Sequence, residues 1–200
     1  MLKKIVAIGP ESTGKSTLCS QLAKHFNTCW CPEFARAYLD KHGTNYTFEN
    51  LLTIAKGQLA LEKEYEQSLV GSSLPLVDTD RNMKDAKPVS NSYQLPNTNY
   101  LFIDTDQYVM KVWCEYVFNR CHTWILNRVV NQRVDLYLLC KPDLAWAYDP
   151  MREYPDERPR QELYHIYKDI LINQQVPWCE IKGNFDQRLQ LAVHAVNNLV

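Results

Sequence analysis

The run Gly9-Pro10-Glu11-Ser12-Thr13-Gly14-Lys15-Ser16-Thr17 sets two glycines five positions apart, directly before a lysine and two hydroxyls. Residues of these types at this spacing can hold phosphate. Glycines let successive backbone N–H groups turn inward without a side-chain clash, and the lysine can reach the β- and γ-phosphates while the hydroxyl behind it holds Mg²⁺. The pattern is that of a P-loop, so Gly9, Glu11, Ser12, Thr13, Gly14, Lys15, Ser16 and Thr17 are the candidate ATP-binding residues and Ser16 a candidate metal ligand. Such a loop works only between a strand and the positive end of a helix.

The flanking residues supply both. Lys4 to Ile8 reads as a buried strand, and Ser16 to Phe26 as a helix whose Leu18, Leu22 and Phe26 recur at packing spacing. Further strand-like runs at Asn27 to Pro32, Tyr100 to Asp104, Val134 to Cys140 and Val176 to Ile181 alternate with helical periodicity. That alternation predicts an α/β fold with a parallel five-stranded sheet flanked by helices. Thr47 reads as the N-cap of a helix reaching about Gln67, and another helix is expected from about Gln161 to Gln174. The polar, proline-broken stretch 71–99 reads as an inserted surface loop.

Other side chains must act with the loop if it serves catalysis. Pro75 to Asp80 nearly duplicates Leu101 to Asp106, and only the second copy runs straight into an amphipathic helix. Asp104 is therefore the expected metal-positioning carboxylate beside Ser16, and Asp106 the more natural helix cap, kept also as a candidate substrate contact. Glu33 and Arg36 follow the second strand and should project into the crevice at the carboxyl ends of the strands, where open α/β sheets bind ligands. Glu33 could accept a proton from an attacking hydroxyl, and Arg36 could bind substrate. Residues 145–160, which carry Arg152 and Arg158, suit a lid over a triphosphate. Gln58 lies on an otherwise apolar helical face, and Trp113 is one of several rings that could stack on a flat group.

Composition narrows the classes. With 200 residues, 46% of them apolar, one domain spanning 1–200 is expected. A net charge of −1 gives no basic field for nucleic acid. No apolar run is long enough for a membrane span, and the expected location is the cytosol. The seven cysteines form no C-x-x-C pair and read as free thiols. Oligomeric state is not written in the chain.

Taken in order, Gly9 to Thr17, Pro32-Glu-Phe-Ala-Arg36, Thr47-Phe-Glu-Asn, Ile54-Ala-Lys-Gly-Gln58, Phe102 to Asp106, Val112-Trp-Cys-Glu115, Asp135 to Leu139 and Asp149-Pro-Met-Arg152 resemble a known family. It is the ribosylnicotinamide kinase domain of the bacterial NAD regulator/biosynthesis proteins, also met as a stand-alone form. The resemblance implies a P-loop, nucleoside/nucleotide kinase-like fold that uses ATP and Mg²⁺ to phosphorylate the 5′-hydroxyl of nicotinamide riboside. On that basis Lys15 and Ser16 serve ATP and the metal, Asp104 the metal, Glu33 and Arg36 the riboside, and Arg152 with Arg158 the lid. Neither a helix-turn-helix nor a G-x-F-x-P-x-H-x-G-H motif accompanies these residues, so repression and NAD synthesis proper are not expected. Another nucleoside acceptor, and an ATP-dependent switch that hydrolyses slowly, are the alternative readings.

Overall fold

In the first strand, β1 (Lys3–Ile8), alternate side chains enter opposite cores, as the period of a strand requires. Ile5 and Ala7 pack on α1 (Lys15–Phe26) and α7 (Phe185–Asn197) through Leu18, Leu22, Ala192 and Val196. Val6 and Ile8 pack the other way, toward α4 (Gln107–Phe118) and α6 (Glu157–Ile172) through Val109, Val112, Leu163 and Tyr167. The computed structural model describes residues 1–70, 99–150, 154 and 156–199. The duplicate acidic segment at Asp78 and Asp80, nearly all of the expected loop at 71–99, and Arg152 lie outside these.

The remaining strands are β2 (Trp30–Cys31), β3 (Tyr100–Asp104), β4 (Leu136–Cys140) and β5 (Trp178–Ile181). They form one parallel five-stranded sheet in the order β2-β3-β1-β4-β5. Ala7 lies opposite Asp104, and Cys31 opposite Ile103. This register brings the carboxyl ends of β1, β2 and β3 level. Whatever follows each strand therefore meets at one edge: the phosphate loop after β1, Glu33 after β2, and Asp104 closing β3.

Three other helices complete the fold: α2 (Phe34–His42), α3 (Phe48–Val70) and α5 (Thr123–Asn131). With α4 they enclose a third cluster that includes Ala35, Leu51, Ile54, Met110 and Ile125. Thr47 caps α3 as expected, its hydroxyl accepting from the Asn50 N–H at 3.3 Å while Asn50 Oδ1 accepts from the Thr47 N–H at 2.8 Å. Two boundaries differ from the sequence reading. The second strand is far shorter than Asn27 to Pro32, because Asn27 turns left-handed (φ 51°) to close α1. Helix α6 begins at Glu157, not near Gln161, since Pro159 falls in its first turn, where no N–H is needed.

Candidate active site

The phosphate loop is shaped by close approach. Gly9 (φ 138°) passes so near β4 that a Cβ there would stand 2.6 Å from the Cys140 carbonyl oxygen. Gly14 is left-handed and begins α1 without a side-chain cap, whereas Asp106 caps α4 and Asn184 caps α7. No side chain thus competes for the first-turn amides of α1, which are the groups an anion uses. Inside the loop, the Thr13 hydroxyl and the Lys15 ammonium both donate to the Pro10 carbonyl, at 2.7 and 2.9 Å.

Two arginines hold the loop from beneath. Arg188, on α7 and 1% exposed, donates to the carbonyls of Thr13 (3.0 Å), Lys141 (2.9 Å) and Gly183 (2.7 Å), and pairs with the Asp143 carboxylate. Arg160, also buried, donates to the carbonyls of Ser12 and Leu144. These contacts fix Ser12 in the left-handed region (φ 55°), which a residue other than glycine rarely adopts.

Beside the loop sits the acidic pair. The Ser16 hydroxyl donates to Asp104 Oδ2 at 2.5 Å, and burial raises the Asp104 pKa against the lowering effect of Lys15 and this hydrogen bond. Glu33 begins α2 but spends no carboxylate oxygen capping it. Burial first, then the nearby Asp104 charge, push its pKa up to about 7, while Lys15 and Arg36 pull it down. A carboxyl in that range can take up and release a proton near neutrality.

The start of α2 is itself held by α3. Gly57 lets the Phe34 ring lie where a Cβ would meet it at 2.2 Å. Next to it, Gln58 accepts from the Phe34 N–H at 2.7 Å and donates to the Pro32 carbonyl at 3.4 Å. Gln58 is 1% exposed and both ends of its amide are engaged in holding the turn that presents Glu33. Asp106 takes the helix-cap role that its position suggested. Its carboxylate accepts from the Tyr108 N–H (2.9 Å) and the Tyr137 hydroxyl (2.8 Å), and it works as the buried cap of α4.

Lys15, Ser16 and Glu33 line one cavity of about 370 Å³. Four rings also line it, those of Trp113, Tyr116, Tyr154 and Tyr167, together with Arg36 and Leu39. The Trp113 indole is fixed by donating to the Tyr46 hydroxyl at 2.7 Å. Arg36 lines the cavity as expected, and pairs there with Asp149 at 2.7 Å. Arg158 does not line it. Its side chain is 89% exposed on the first turn of α6 and pairs with Glu162, a consequence of the earlier helix start.

Sequence reasoning missed Arg188 and the cavity positions of Tyr154 and Tyr167, and read Arg160 only as part of the 145–160 lid segment. For Arg188 a signal existed: it stands four and eight residues before Ala192 and Val196, the buried positions of α7. An arginine on that stripe has to find carbonyls or a carboxylate. Phe185, which opens the same helix, is 46% exposed. Among the described residues, no group of three or more His, Cys, Asp or Glu side chains is placed to hold a metal ion, and no helix is long and apolar enough to cross a membrane. All seven cysteines are free thiols.

Known proteins resemble this chain in sequence and in fold. Over 201 residues the chain is 23% identical to the trifunctional NAD biosynthesis/regulator protein NadR of Salmonella typhimurium, and equally to that of Escherichia coli. All of this chain is covered, but only 43% of those relatives' length. Among solved structures, a NadR protein in complex with NR superposes with a TM-score of 0.71 at 18% identity, covering 99% of this chain and 50% of that one. A deoxyadenosine kinase from M. mycoides superposes with a TM-score of 0.53 at 11% identity, over 97% of this chain and 98% of its own. The fold is that of the P-loop kinases. Residues 4–188 match the sequence pattern of the AAA domain family, and the chain belongs to that family.

Proposed function

We propose that this chain is a phosphotransferase that moves the γ-phosphoryl group of ATP to the 5′-hydroxyl of nicotinamide riboside, giving nicotinamide mononucleotide and ADP. One observation carries the reading: Lys15, Ser16 and Glu33 border the same cavity, whose lining also includes the rings of Trp113, Tyr116, Tyr154 and Tyr167. A protein that only bound or hydrolysed ATP would need the phosphate loop alone. Here a proton acceptor and rings that could receive a flat group share its cavity, as transfer between two bound substrates requires.

In this reading Glu33 takes the proton of the 5′-hydroxyl as its oxygen bonds to the γ-phosphorus. The bond from that phosphorus to the bridging oxygen breaks, and ADP leaves with the electron pair. Lys15 and the first-turn amides of α1 stabilise the charge gathered on the phosphoryl oxygens. Arg36 and the aromatic wall orient the nucleoside. The Ser16 and Asp104 oxygens suit a hard cation such as Mg²⁺, which takes one or two protein oxygens together with phosphates and water. Bound there, the ion would neutralise part of the triphosphate charge. The reading carries a cytosolic setting with it, where ATP is abundant.

The NadR complex with NR and the NadR complex with NAD and AMP-PNP support the choice of acceptor and donor. The test is to supply ATP, Mg²⁺ and a panel of nucleosides, and to measure ADP and phosphorylated product together. Nicotinamide mononucleotide is expected well above any other product. Slow ADP release that is equal with and without every acceptor would overturn the reading in favour of a hydrolytic switch.

A further inference from the structure

Glu11 occupies a place in the loop where the phosphate-binding pattern sets no residue type. A carboxylate is also a poor neighbour for a triphosphate, since like charges repel. Its Oε1 instead accepts from the backbone N–H of Tyr154 at 2.7 Å. The Tyr154 ring lines the cavity and meets Tyr116 edge-on, with centroids 5.6 Å apart and planes at 84°. The next loop residue does similar work: the Ser12 hydroxyl accepts from the Ala147 N–H at 3.1 Å. Arg36, which also lines the cavity, pairs with Asp149.

Two consecutive side chains of the phosphate loop thus grip backbone ahead of α6, including that of Tyr154, whose ring lines the cavity. We infer that Glu11 is a positioning residue for the acceptor, fixing the Tyr154 ring in the wall that receives the nucleoside, and that it does not act as a nucleotide ligand. The inference rests on the kinase reading for its catalytic consequence. Its structural part stands on the Glu11–Tyr154 hydrogen bond and the place of the ring.

The experiment compares the full chain with its Glu11→Gln and Glu11→Ala variants. Amide hydrogen exchange at Tyr154 is followed alongside the KM for nicotinamide riboside and the KM for ATP. Loss of a charge-assisted hydrogen bond should speed exchange at Tyr154 about tenfold and raise the riboside KM about tenfold in Glu11→Ala, with the ATP KM within about twofold. Glu11→Gln keeps an accepting oxygen and should stay within about threefold of the parent in all three. Should Glu11→Ala not fold, Glu11→Met removes the oxygen while keeping the bulk.

Unchanged exchange at Tyr154 would overturn the inference. So would a rise confined to the ATP KM, or a Glu11→Gln variant that fails as badly as Glu11→Ala. If the parent chain forms no phosphorylated nucleoside, the kinase reading falls by itself, and exchange at Tyr154 decides whether Glu11 places that ring.

Discussion

The nucleotide half of the site and the acceptor half are built in opposite ways. The first is one unbroken run, Gly9 to Thr17, joined to Asp104 by a single strand pairing. The second draws Glu33 and Arg36 from α2, Trp113 and Tyr116 from α4, Tyr167 from α6, and Tyr154 from the residues before that helix. A contiguous loop carries its conformation in its own glycines. A wall assembled from separate helices exists only when their packing is right, so it depends on residues such as Gly57 and Gln58 that stand outside the cavity lining.

The contrast can be broken most forcefully at Lys15. Replacing it with alanine removes the one side-chain cation that the loop presents, and should lower kcat/KM roughly 10³-fold, about 4 kcal/mol of transition-state stabilisation. The acceptor half is untouched by that change, so riboside affinity measured by calorimetry should remain within about threefold. Near-normal turnover in Lys15→Ala would remove the lysine from the mechanism.

Glu33 tests the other half, with an effect of roughly 10²-fold on turnover for Glu33→Gln. Its pKa near 7 adds a pH signature to that loss. As base it must be ionised, so kcat/KM of the parent should climb as pH rises through about 7, and the variant should lose that climb. Stability runs in the reverse sense. An unfolded glutamate releases its proton near 4.5, whereas the folded chain keeps it to about 7, so the folded state binds more protons between those values. Its stability must then fall as pH rises across that window. Thermal melts of the ligand-free parent and Glu33→Gln should diverge above about pH 5, the variant being the less affected by pH. Parallel melts from pH 5 to 8 would mean that Glu33 is not held protonated by burial.

These two halves also differ in how far they can be read in advance. The loop, the five strands and the choice of Asp104 over its duplicate follow from spacing and from which acidic copy leads into a helix. Glu33 and Arg36 were reachable through the rule that ligands gather at the carboxyl ends of parallel strands. Asp106 was legible as the cap of α4, whereas Gln58, a polar group on an apolar face, turns inward to satisfy backbone partners. Periodicity shows that a polar residue is buried; it does not show which neighbour claims its hydrogen bonds. Tyr154 and Tyr167 lay beyond reach because their roles depend on how α6 sits over the sheet.

Arg158 offers the smallest effect and a sharp test of where the acceptor half ends. Its guanidinium is held by Glu162 one turn along α6 at 3.0 Å, with 89% of the arginine and 48% of the glutamate side chain exposed. An exposed pair of this spacing contributes at most about 0.5 kcal/mol. A cation in the first turn of a helix opposes the positive end of its dipole, which offsets part of even that gain. Arg158→Ala should therefore leave stability within about 0.5 kcal/mol of the parent, and both KM values and kcat within about twofold. A tenfold fall in kcat would mean that α6 moves when nucleotide binds and delivers Arg158 to the transferring phosphoryl group. The boundary drawn here between cavity wall and outer helix surface would then have to shift by a full turn of α6.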